Sequence, residues 1–128
     1  MKSLRLLVFL LLPAFAGPAL AEDPARLTAE EIRSLLSGNT IRGTWRGDEY
    51  KQYFMADGAT IYAPRRSRST VGKWRVDPAK NTYDSWWERG GWASYEIIRK
   101  SGELFWISQT VPPQPFVVLE GEQLTWTD

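Results

Sequence analysis

From Thr40 to the C-terminus, hydrophobic and polar residues alternate with a period of two, and turn-forming residues return about every 8 to 12 positions. This predicts strands near Thr40 to Trp45, Tyr50 to Met55, Thr60 to Ala63, Gly72 to Val76, Thr82 to Trp87, Trp92 to Arg99, Leu104 to Ser108, Phe116 to Leu119 and Gln123 to Thr127. Gly47-Asp48, Asp57-Gly58, Asp77-Pro78, Gly90-Gly91, Ser101-Gly102 and Glu120-Gly121 supply the turns, through positive φ or a preset proline. Short connections between neighbouring strands predict an up-and-down meander. Exposed strand edges invite aggregation, so the expected fold is all-β, a small antiparallel barrel or half-barrel. Pro64 to Thr70 is a basic loop, and Val111 to Pro115 is too rich in proline for a central strand.

One helix precedes the sheet. Thr28 with Glu31 three residues later forms a capping box, and Leu27, Ile32, Leu35 and Leu36 fall on one stripe before Gly38-Asn39 ends the turn. The amphipathic stripe predicts a lid on one end of the sheet; the alternative is a helix that docks a partner.

The stretch Tyr83 to Arg99 reads as two strands folded back through Glu88 to Gly91, and it holds three of the seven tryptophans. Alternation places Asp84, Trp86, Trp92, Ser94 and Glu96 on one face and Tyr83, Ser85, Trp87, Ala93, Tyr95 and Ile97 on the other. The second face is the more apolar and is expected to be the core. Trp86 and Trp92 would then be aromatics on the outer face beside two carboxylates.

The first 21 residues follow a different rule. Lys2 and Arg5, the apolar run Leu6 to Leu12, Pro13 and Ala19-Leu20-Ala21 make the pattern of a cleaved export signal, and the apolar run is too short for a membrane span of about 20 residues. Cleavage predicts one domain of 107 residues from Glu22 to Asp128, periplasmic or secreted, with no membrane span remaining. Removing Lys2 and Arg5 leaves 14 basic against 15 acidic residues, a balance with no global field for nucleic acid. Cysteine is absent, so the fold depends on its core, and the aromatic rings supply it.

The absence of histidine and cysteine excludes Ser-His-Asp and Cys-His catalysis and any metal site built from imidazole or thiolate. No glycine-rich phosphate loop is present, so no cofactor is implied. Asp84 and Glu96 survive as a candidate carboxylate pair for hydrolysis of cell-wall carbohydrate, if Asp84 lies opposite Ser94. The candidate ligand-binding set is Trp86, Trp92, Asp84, Glu96 and Arg89, on the hairpin and its turn. Arg65, Arg66 and Arg68 form a candidate patch for an anionic partner.

Gly43-Thr44-Trp45 and Gly72-Lys73-Trp74 resemble the G-x-W tripeptide that lipocalins carry on the first barrel strand after a short helix. At this length any calyx is expected to be small or filled with side chains. The blocks LTAEEIRSLLSGNTIRGTW, YKQYFMADGATIY, VGKWRVD, YDSWW and SYEIIR resemble a family of small exported proteobacterial proteins of unknown function. The resemblance covers nearly the whole chain after the leader and implies no activity. It also implies a hairpin disulfide at positions where this chain has Asp84 and Ser94. Together these features predict a non-enzymatic binding or inhibitor-type protein, engaging a small ligand or an envelope protein through its aromatic hairpin face. A carboxylate hydrolase and a structural envelope component are the alternatives.

Overall fold

The computed structural model describes residues 23–127. The export signal expected over Met1 to Ala21 lies outside the described residues. The elements are β1 (Ala25–Arg26), α1 (Ala29–Leu36), β2 (Thr40–Trp45), β3 (Asp48–Phe54), β4 (Ala59–Pro64), β5 (Thr70–Asp77), β6 (Thr82–Trp87), β7 (Gly91–Lys100), β8 (Glu103–Ile107) and β9 (Gln114–Leu119). Strands β2 to β7 pair in sequence order, β2 also pairs with β9, β9 with β8, and β8 with β7, so eight antiparallel strands close into a barrel. The chain is therefore the small all-β barrel with one N-terminal helix that the alternation predicts.

Closure explains the two departures from the expected strands. A closed barrel offers no unpaired edge, so the residues expected as a strand over Gln123 to Thr127 form none and lie on the outer wall. There the Lys51 ammonium donates to the Thr125 carbonyl at 2.8 Å, and the Trp126 indole donates to the Ala63 carbonyl at 3.3 Å. One short edge does remain, because β7 extends beyond the end of β6. It is filled by β1, with Ala25 opposite Arg99 and Arg26 opposite Ile98. Two residues are too few for an alternation to be read.

The helix starts as its capping box dictates: Thr28 Oγ1 accepts from the Glu31 amide at 3.2 Å, and the Glu31 carboxylate accepts from the Thr28 amide at 3.0 Å. Asn81 Oδ1, on the β5–β6 turn, accepts from the Ala29 amide at 2.8 Å and ties the helix start to the barrel. Ile32 and Leu36 are fully buried, in one cluster with Phe54, Trp74, Val76, Tyr83 and Ile97. The helix is thus a lid that closes one end of the barrel.

Both G-x-W glycines are sites of close approach. A Cβ on Gly72 would lie 2.5 Å from the Trp86 carbonyl oxygen and 2.7 Å from the Trp87 ring, and one on Gly43 would lie 2.8 Å from the Pro115 carbonyl oxygen. The missing side chain at Gly72 makes room for the ring of Trp87. Gly72→Ala is expected to lower stability by about 1–3 kcal/mol. Gly90→Ala, where nothing lies within 4 Å and φ is not positive, should be near neutral. Urea unfolding of the two variants checks this.

Candidate functional site

The interior is filled at the lidded end and hollow at the other. The open end carries the β2–β3, β4–β5, β6–β7 and β8–β9 connections, and below them lies a cavity of about 590 Å³. That volume falls within the range of about 300–1,000 Å³ typical of small-molecule pockets. The calyx is thus filled at the lidded end and hollow at the mouth. Its wall follows from alternation: Trp45 ends β2, Tyr50 and Gln52 come from β3, Tyr62 from β4, Tyr83, Ser85 and Trp87 from β6, Tyr95 from β7 and Trp106 from β8.

Neighbouring rings hold one another against the wall. Tyr50 stacks on Tyr62 with centroids 5.0 Å apart, Trp45 meets Tyr95 edge to face at 5.7 Å, and Trp87 meets Tyr62 at 6.0 Å. Deeper down, Tyr83 and Trp106 lie 4.8 Å apart, and Trp106 stacks on Phe116 at 4.8 Å.

Hydrogen bonds tie the floor together. Thr60 donates its hydroxyl to the Tyr53 carbonyl at 2.9 Å, so its oxygen accepts from Gln52 Nε2 at 2.9 Å. The same Gln52 amide donates to the Tyr83 hydroxyl at 3.2 Å, and the Trp106 indole donates to the Tyr50 hydroxyl at 3.1 Å. Burial raises the pKa of Tyr50 and Tyr83 well above the ordinary phenol value, and it also raises those of the half-buried Tyr62 and Tyr95. All four are therefore neutral phenols at physiological pH. Among the described residues, the Tyr62 and Tyr95 hydroxyls and the Gln52 carbonyl oxygen have no hydrogen-bond partner, so the largely aromatic wall, which also includes Ser85, Glu88 and Arg89, presents free polar groups to the cavity.

The residues singled out from sequence lie on both sides of this wall. The hairpin faces are as alternation predicts, with Asp84 opposite Ser94 and Trp86 opposite Trp92. Trp86 and Trp92 are on the outside, Trp92 at 45% exposure. Each is covered by a cation from β5, Lys73 Nζ 5.0 Å from the Trp86 centroid and Arg75 Cζ 3.9 Å from that of Trp92. Asp84 is buried beneath them and accepts from Arg75 Nε at 3.2 Å and from the Thr82 hydroxyl at 2.9 Å. Glu96 pairs with Arg26 at 3.4 Å. Both carboxylates are thus held by arginine on the convex wall, outside the cavity. Arg89 alone of that set lines the cavity, with Glu88 beside it. Arg65 pairs with Glu49 at 2.8 Å, and Arg66 and Arg68 are exposed on the β4–β5 loop at the open end.

Sequence reasoning missed Gln52, Tyr50 and Tyr62 as site residues, although Gln52 and Ser85 at inward positions among aromatics were a signal. A fully packed interior has little use for either. Among the described residues, no group of three or more Asp or Glu side chains is placed to hold a metal ion, and no helix is long and apolar enough to cross a membrane. Comparison with protein-family models, characterised proteins and solved structures returns no match.

Burial pushes the pKa of Asp84 up, but hydrogen bonds from Ser94, Thr82 and Arg75 and the Arg75 charge outweigh it, and the net shift is downward. A depressed native pKa contributes stability that is full above the unfolded value of about 3.9 and is lost as pH falls through the native value. Asp84→Asn should therefore cost about 1–3 kcal/mol at pH 7, and the gap to wild type should shrink below about pH 4. Unfolding measured across pH checks the sign; a gap that widened in acid would contradict it.

Proposed function

We propose that the protein is an exported, non-enzymatic binding protein whose ligand enters the open end of the barrel and lies against its aromatic wall. The observation that carries this reading is the hollow of about 590 Å³, lined mostly by aromatic rings with a few polar groups among them, including the free Tyr62 and Tyr95 hydroxyls. A closed barrel serving only as a structural element gains stability by filling its interior, and this one is left open at one end. Export rests on the leader pattern of Lys2, Arg5, Leu6 to Leu12 and Ala19-Leu20-Ala21. The held carboxylates and their convex position weigh against hydrolysis through Asp84 and Glu96. A second reading, capture of a protein partner on the Trp86 and Trp92 face, draws on the exposure of Trp92.

Intrinsic tryptophan fluorescence tests these readings. Titration with neutral apolar molecules, 2-naphthalenemethanol and dodecanol, is expected to give a saturable change with at least one of them. Trp87→Ala should weaken that binding about tenfold, equivalent to ~1.4 kcal/mol, and Trp92→Ala should leave it unchanged. No saturable change with either molecule would overturn the cavity reading. Loss of binding in Trp92→Ala with retention in Trp87→Ala would move the site to the outer face.

A further inference from the structure

The charges at the open end do not follow from the fold. Three of its four connections carry arginine: Arg46 on β2–β3, Arg65, Arg66 and Arg68 on β4–β5, and Arg89 on β6–β7. Their acidic neighbours are Asp48, Glu49 and Glu88. Glu49 is held by Arg65 at 2.8 Å and by Arg42 at 3.4 Å. Among the described residues, Arg46, Arg66, Arg68 and Arg89 have no carboxylate within ion-pair distance in the structure, so the rim keeps a surplus of positive charge. The lidded end carries both signs, with Glu30, Glu31, Asp57 and Asp77 beside Arg33, Lys80 and Lys100. The unpaired arginines at the mouth favour an anion there.

Arg46 is the most informative of these. It sits at φ 50°, in the left-handed region where asparagine or glycine is at ease, so the turn itself does not call for arginine. Its chain neighbour Trp45 lines the cavity, and its charge opposes in part the burial that raises the pKa of the Tyr95 hydroxyl, while Asp48 acts the other way on Tyr62. Arg89 lies on the lining itself, next to Glu88 but with no ion pair to it. The free hydroxyls of Tyr62 and Tyr95 add neutral O–H donors. Guanidinium groups and phenol donors above an aromatic wall suit a group that only accepts hydrogen bonds. The rings alone would also suit a cation, which Arg46 and Arg89 oppose.

We infer that the ligand is a ring-bearing apolar acid, its body against the aromatic wall and its anionic group at the rim with Arg46 and Arg89. This rests on the cavity reading above and adds the charge of the ligand to it. The test uses three molecules of one shape, 2-naphthoate, 2-naphthalenemethanol and 2-naphthylmethylammonium, titrated into the mature protein at low and high salt. Naphthoate is expected to bind at least about fivefold more tightly than the alcohol, with the ammonium compound weakest. The preference should fall on going from about 0.01 M to about 1 M ionic strength. Replacing both rim residues, Arg46→Gln with Arg89→Gln, should abolish the preference, so that acid and alcohol bind within about twofold of each other; a preference that survives both replacements overturns the inference. Equal binding of acid and alcohol, or tightest binding of the ammonium compound, overturns the inference and leaves the cavity reading standing. No binding of any of the three overturns the inference; retained dodecanol binding would leave the cavity reading in place, and its loss as well would remove it.

Discussion

Closing eight strands into a ring fixes the width of the interior before any inward side chain is chosen. A barrel of this size has room either for a solid packing of side chains or for one small ligand. The protein does both along one axis. Near the lid, Ile32 and Leu36 of the helix meet Phe54, Trp74 and Val76 and fill the space. Toward the mouth, Trp45, Tyr62, Trp87 and Tyr95 lean on their neighbours and leave the axis clear. The rings that would otherwise plug the barrel instead form its wall.

The boundary between the two halves is polar. Gln52, Thr60 and Tyr83 are hydrogen-bonded to one another, and Trp106 is bonded to Tyr50. A buried amide is tolerable only when its hydrogens find acceptors, and here each has one. These bonds give the floor a fixed register that apolar contacts alone do not define. With no cysteine in the chain, this network, the ring packing and closure are what hold the cavity in shape. On the hairpin face, where the family that the sequence resembles would carry cysteines, this chain has Asp84, held by the Thr82 hydroxyl and by Arg75.

Much of the frame was legible in the sequence because it is set locally. The bounds expected for β2 and β6 are those found, the Thr28–Glu31 box starts the helix, and alternation assigned both faces of the hairpin correctly. What the pattern does not encode is the sum of all inward volumes, and that sum decides whether a barrel is full. Alternation therefore singles out Trp86 and Trp92 as exposed rings, but it does not encode the cations of β5, Lys73 and Arg75, that cover them. The tail departs from its pattern for a related reason. Its alternating residues fit a strand, but closure had already paired both edges of every neighbour, and Trp126 packs instead against Lys51 on the outer wall.

The central claim is that binding takes place inside the barrel and not on the hairpin's outer face. The seven tryptophans report on this separately, since each has its own indole N–H signal in a nitrogen-15 correlation spectrum. Signals assigned by single substitution would be followed while 2-naphthoate is added. The account predicts that Trp45 and Trp87 at the mouth shift with one saturation curve while Trp86, Trp92 and Trp126 on the outside stay in place. Movement of Trp86 and Trp92, with Trp45 and Trp87 unmoved, would contradict it.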